Sequence, residues 1–161
     1  IAKGWGVDAI GSVLDKAGLI NYLIEIGGEI LVSGTNENNE KWAVGIRNPD
    51  EYNIDHYSTI YVSNKAVATS GTYNNYFTFD SNNYSHLINP HTGYPIQHEL
   101  VSATIIAENC TTADAIATAV MVKGMGAGIN WVNSLENIEG LFIARNREGE
   151  YFQKKSKGFN Y

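Results

Sequence analysis

A single cysteine, Cys110, stands among the 161 residues, so no intrachain disulfide staples this chain. Basic residues are scarce too: 11 Lys and Arg against 17 Asp and Glu give a net charge of -6 at pH 7. A nucleic-acid partner calls for a basic face. The one cluster here is Lys154-Lys155-Ser156-Lys157, which reads as a solvated tail, so no nucleic acid is expected. No apolar run approaches the ~18–20 residues that a membrane helix needs. A nucleophile elbow of the G-x-S-x-G type is missing. "KGMGAG" (residues 123–128) has the wrong spacing for a dinucleotide loop and follows a helix instead of a strand. The four histidines make no zinc pattern with one cysteine. The chain also opens on Ile1 in mid-motif, which points to the C-terminal portion of a longer protein.

What is present is enough apolar residue, 43 %, to build one core across residues 1–161. Val7, Ile10, Val13, Leu14 and Ala17 recur at helical spacing and Gly18 follows as a cap, so a helix is expected over Val7–Ala17. Strands are expected at Tyr22–Ile26 and Glu29–Ser33 around Gly27-Gly28, then at Lys41–Ile46, Thr59–Val62, Ala66–Thr69, Tyr76–Asp80 and Leu100–Ala107. Asn64-Lys65 suits a hairpin turn, and the asparagine pairs at 74–75 and 82–83 mark loops. Helices over Thr112–Val122 and Ile129–Leu135 and strands at Gly140–Arg145 and Tyr151–Gln153 complete the chain. Strands and helices mix without strict alternation, which predicts an α+β fold of mainly antiparallel sheet.

Three stretches carry candidate chemistry. In "TTADAIATAVMVKG", Asp114 and Thr118 are four apart and share one helical face among small alanines. A carboxylate and a hydroxyl suit a hard cation such as Mg²⁺. Thr111-x-x-Asp114 also resembles a capping box, and on spacing alone that is the stronger reading. In "VATSGTYNNYF", Thr69, Ser70 and Thr72 could cradle a phosphate or form a plain turn. "SHLINPHTGYP" (residues 85–95) gathers two of the four histidines and two of the three prolines. It is either a polar surface loop or a stiff loop that presents a histidine. Ser70, His86 and Asp114 also make a triad on paper.

These pieces together resemble the ApbE family of flavin transferases. "AKGWGVD" resembles its AKGYAVD, with Trp5 for Tyr and Gly6 for Ala. "IEIGGEI" resembles its GGE turn, "VATSGTYNNYF" its ATSGxYxxY, "SHLINPHTGYPI" its SHIIDPxTGxP with Asn89 for Asp, and "TADAIATAVMVKG" its TADALATAxxxxG. The resemblance implies an ApbE-like, T-fold-type architecture. It implies Asp114 and Thr118 as Mg²⁺ ligands, Lys3 and Ile88 as FAD contacts and His86 as the catalytic residue, with His91 at a variable position. A further family ligand, a backbone carbonyl, would precede Ile1.

The implied reaction is Mg²⁺-dependent transfer of the FMN half of FAD to a Ser or Thr hydroxyl of a target flavoprotein, with AMP released. His86 is the expected base, since an imidazole titrates near neutral pH. The resemblance further implies a bacterial cell-envelope location and a target in a membrane-associated complex. Alternatives are an FAD pyrophosphatase giving FMN and AMP, a flavin-binding fragment without catalysis, and a serine hydrolase acting through Ser70.

Overall fold

The computed structural model describes residues 1–50, 55–73, 76–79 and 82–161. Helix α1 (Ala2–Lys16) leads into strands β1 (Tyr22–Ile26) and β2 (Glu29–Ser33), then β3 (Trp42–Arg47), β4 (His56–Val62), β5 (Lys65–Gly71), β6 (Tyr76–Phe79), β7 (Asn82–Ser85) and β8 (Leu100–Ala107). Helices α2 (Cys110–Lys123) and α3 (Met125–Val132) follow, then β9 (Glu139–Arg145) and β10 (Tyr151–Lys155). Six strands form one sheet in the order β1-β2-β5-β8-β9-β10, with every neighbouring pair antiparallel. The α+β expectation holds.

The central strands bury both faces, and their sequences show it. On β5, Ala66 and Ala68 face the helices while Val67 faces the other side; on β8, Ile105 and Ile106 divide in the same way. Strands buried on both sides read as continuous apolar runs, as "LFIA" of β9 does. Small residues line the helix side, with Ala66, Ala68 and Ala103 set against Ala113 and Ala117 of α2. The β3–β4 ribbon covers the opposite face through Val44, Ile46, Ile60 and Val62.

Several boundaries differ from expectation. Helix α1 starts at Ala2, five residues before Val7. Gly4 and Gly6 weaken helix propensity there by roughly 1 kcal/mol each, but tertiary contacts hold the turn. A Cβ on Gly4 would lie 2.5 Å from the Cys110 carbonyl oxygen, so α1 crosses α2 at a separation only glycine permits. Helix α3 starts at Met125, not Ile129, because Met125 is buried and Gly128 fits against Val120. Gly124 ends α2 at φ 77°.

Asn64 does turn the chain, at φ 52°. It joins two sheets and not one hairpin, since β4 pairs with β3 and β5 with β2. The Asn82-Asn83 pair lies in β7, not in a loop, because residues 82–85 pair with β6, and Phe77 stacks on Tyr84 at 5.3 Å. The expected loop marker at residues 74–75 lies outside the described residues.

Candidate active site at the helix junction

Helices α1 and α2 exchange carboxylates. Asp8 of α1 accepts from the amides of Cys110 (2.7 Å) and Thr111 (2.8 Å) and from the Thr111 hydroxyl, all at the start of α2. Asp114 of α2 accepts from the amide of Gly4 at 3.0 Å, one of the orphan donors in the first turn of α1. The backbone nitrogen of Ile1 lies 2.8 Å from the same oxygen, Asp114 Oδ2. Each helix therefore sets a negative charge against the positive end of the other's dipole.

The capping-box reading fails on this geometry. Asn109, not Thr111, caps α2, accepting from the Thr112 amide at 2.8 Å. Asp114 reaches across to α1 and away from its own helix start, at 6 % exposure. Its Oδ1 takes no hydrogen bond among the described residues.

Lys3 precedes Gly4, the partner of this carboxylate, on α1. Lys3 Nζ donates to the Gly27 carbonyl at 3.0 Å and pairs with Glu29, itself only 4 % exposed. The KGW and GGE motifs thus meet. Gly27 and Gly28 carry φ of 58° and 97°, as a two-residue hairpin turn with both central residues left-handed demands. One turn beyond Asp114, the Thr118 hydroxyl lies 2.9 Å from that of Ser70 on β5. The TSG and TADA motifs therefore meet as well.

The "SHLINPHTGYP" stretch is a hairpin that continues from β7. Ile88 bridges Pro95, Ile96 donates to the Leu87 carbonyl at 3.0 Å, and Asn89 donates to the Tyr94 carbonyl at 2.8 Å. Asn89 Oδ1 accepts from the His91 amide at 2.9 Å, so an amide oxygen does what the family's Asp carboxylate could do. Gly93 takes φ 74° and donates to the Asn89 carbonyl. Leu87 and Ile96 turn inward onto the helix-side core; His86 and Ile88 turn outward, Ile88 at 48 % exposure.

The structure thus brings Lys3, Asp114 and Thr118 to one junction and sets His86 and Ile88 on a separate hairpin packed against the same core. It does not assemble the Ser70–His86–Asp114 triad: Ser70 bonds Thr118, and Asp114 bonds Gly4. Asp8 and Glu29 went unassigned by sequence reasoning, although both lie inside the quoted motifs. Cys110, buried among them, has its thiol pushed up to about 12, first by burial and then by Asp8, Glu29 and Asp114. A thiol so placed is no nucleophile near neutral pH.

Comparison with known proteins gives the family and the fold. The profile described as "ApbE family" matches residues 1–142. The FAD:protein FMN transferase of Vibrio cholerae is 40 % identical over 99 % of this chain and 48 % of its own length, and that of Haemophilus influenzae is 36 % identical over 99 % and 46 %. Among solved structures, a mutant of the flavin transferase ApbE from Vibrio cholerae superposes with a TM-score of 0.84 at 38 % identity, covering 99 % of this chain and 50 % of that one. The apo flavinyl transferase ApbE of Pseudomonas stutzeri gives 0.84 at 32 % identity, covering 99 % and 49 %. The chain therefore spans about half the length of the relatives it matches.

Proposed function

The chain belongs to the ApbE family, and on that premise we propose that it carries the metal helix and the base of an FAD:protein FMN transferase. The reaction moves FMN from FAD to a Ser or Thr hydroxyl of a target flavoprotein and releases AMP. The observation that carries this reading is Asp114, a carboxylate nine-tenths buried that sits at the α1–α2 crossing on Gly4, one turn before the Thr118 that bonds Ser70.

The donors present fit Mg²⁺. Asp114 and Thr118 offer hard oxygens one turn apart on α2, and among the described residues no group of three His, Cys, Asp or Glu competes for a softer metal. Mg²⁺ takes few protein ligands and completes its octahedron with water and phosphate oxygens. Bound there, it would supply neutralisation of the pyrophosphate and of the leaving AMP. Asp114 and Thr118 would hold it, and Lys3 would face the phosphates from the start of α1. His86 would take the proton from the acceptor hydroxyl, since its hairpin holds it outward toward an incoming chain. With water as acceptor the same residues would hydrolyse FAD.

Location in the bacterial cell envelope and a target in a membrane-associated complex belong to the same proposal and rest on the family resemblance. The test is incubation of the complete natural polypeptide with FAD, Mg²⁺ and a Thr-containing acceptor, assaying AMP and flavin bound to the acceptor. AMP and labelled acceptor in equal amounts are expected. FAD left intact in the presence of Mg²⁺ would overturn the reading.

A further inference from the structure

Glu29 is a buried carboxylate that the proposed reaction does not use. Its place follows from the turn before it. Gly27 and Gly28 close a two-residue hairpin, so Glu29 opens β2 opposite Ile26. Side chains two apart on a strand share a face, and Leu31 packs against the helix-side core. Glu29 is therefore turned toward the helices, and it is only 4 % exposed. Glutamate is almost never buried so completely unless it is paired. Its cationic partner among the described residues is Lys3, set against Oε2. No hydrogen bond from another described group reaches that oxygen.

Lys3 is held by the same turn at two points. A Cβ at Gly27 would lie 3.3 Å from Lys3 Cδ and 3.7 Å from Nζ, so the lysine stem passes close over that glycine. An ammonium has three donors and no acceptor. The Gly27 carbonyl accepts one at 3.0 Å, and Glu29 faces another. The third is left on the side of water, since the Lys3 side chain is half-exposed while that of Glu29 is enclosed. Lysine carries its charge on a flexible four-carbon stem; here residues of one turn fix both the stem and the charge.

We propose that Glu29 is a positioning residue: it fixes the Lys3 ammonium so that the remaining donor is aimed at a phosphate oxygen of FAD. The inference rests on Lys3 facing the phosphates in the proposed reaction. A carboxylate in this place also repels a phosphate. That repulsion is the weaker effect, because a phosphate approaching Lys3 from the solvent side stays farther from the carboxylate than Lys3 is, and water screens charges there. Glu29 touches no substrate and acts through Lys3 alone.

The experiment measures the affinity of the complete natural polypeptide for FAD and for riboflavin, by quenching of flavin fluorescence without Mg²⁺. Riboflavin lacks the phosphates, so it reports an intact flavin site independently of Lys3. Lys3→Ala should weaken FAD by about ten- to a hundredfold, the worth of a hydrogen bond to a charged group, and leave riboflavin unchanged. Glu29→Leu, which fills the space with an apolar side chain, should weaken FAD by about three- to tenfold and riboflavin not at all. Glu29→Gln, which keeps an oxygen acceptor near Nζ, should lose less. In a Lys3→Ala background Glu29→Leu should add nothing, as expected of a residue that works through its neighbour. Equal weakening of both flavins by Glu29→Leu and Glu29→Gln would make Glu29 a structural residue only and overturn the assignment. So would an FAD affinity unchanged or raised by Glu29→Leu, or a fully additive loss in the double variant. Wild-type FAD affinity in Lys3→Ala would remove Lys3 from the phosphates and overturn both readings; a loss in Lys3→Ala with none in Glu29→Leu would overturn the role of Glu29 alone.

Discussion

At the scale of single residues, charge placement decides more than residue type. The two histidines of the hairpin separate cleanly: His86 precedes inward-facing Leu87, and His91 sits in the turn, its amide tied to Asn89. His86→Asn is expected to slow transfer by roughly 10²–10⁴-fold, the range for a lost general base, and His91→Asn to leave the rate nearly unchanged. Equal losses at the two positions, measured as AMP release, would contradict this division. Cys110 gives a second prediction. Its thiol titrates near 9 in an unfolded chain and near 12 in the native one. Between those values the unfolded state binds fewer protons, so stability is full below pH 9 and falls as pH rises through the window. The raised phenols of Tyr22, Tyr57, Tyr73 and Tyr161 act in the same direction. Urea unfolding of Cys110→Ala at pH 8 and pH 10.5 should therefore show a shallower alkaline decline than the wild type, though not a flat one.

At the scale of elements, the α1–α2 crossing is the feature on which the site depends. Gly4→Ala gains roughly 1 kcal/mol of helix propensity. Against that stands a Cβ set 2.5 Å from the Cys110 carbonyl oxygen and 2.9 Å from Asp114 Cβ. Backbone cannot swing aside as a side chain can, and forced overpacking costs about 1–3 kcal/mol. The substitution should therefore lower stability and displace Asp114, visible as a lower urea midpoint with weakened Mg²⁺ dependence. A rise in the midpoint would show that the crossing is looser than its geometry. Asp8→Ala should also destabilise, by about 2–4 kcal/mol, since it strips two amide donors of α2 of a charged acceptor.

At the scale of the whole molecule, the fold class and most strands were legible because the central strands are apolar on both faces and the turns carry Gly and Asn. The start of α1 was not, because two glycines hide a helix whose first turn is held from outside by Asp114. The β7 strand was not, because asparagines that favour loops pair in register with β6. The pairing of β5 was hidden for a different reason: a turn at Asn64 reports the bend but not which sheet the chain enters. Within the candidate site, the family resemblance nominated Asp114, Thr118, Lys3, His86 and Ile88, yet spacing alone favoured a cap at Asp114. Only the tertiary partner, Gly4 on another helix, removes that alternative. The account's central claim is that Asp114 is a metal ligand and not merely the cap of α1. The most direct measurement is Mg²⁺-dependent AMP release from FAD by the Asp114→Ala variant of the complete natural polypeptide, with circular dichroism and a urea midpoint taken on the same sample. The account predicts a folded protein, less stable by about 1 kcal/mol for the lost capping bond, with AMP release abolished at every Mg²⁺ concentration; a variant that loses that stability and still releases AMP at the wild-type rate would contradict it.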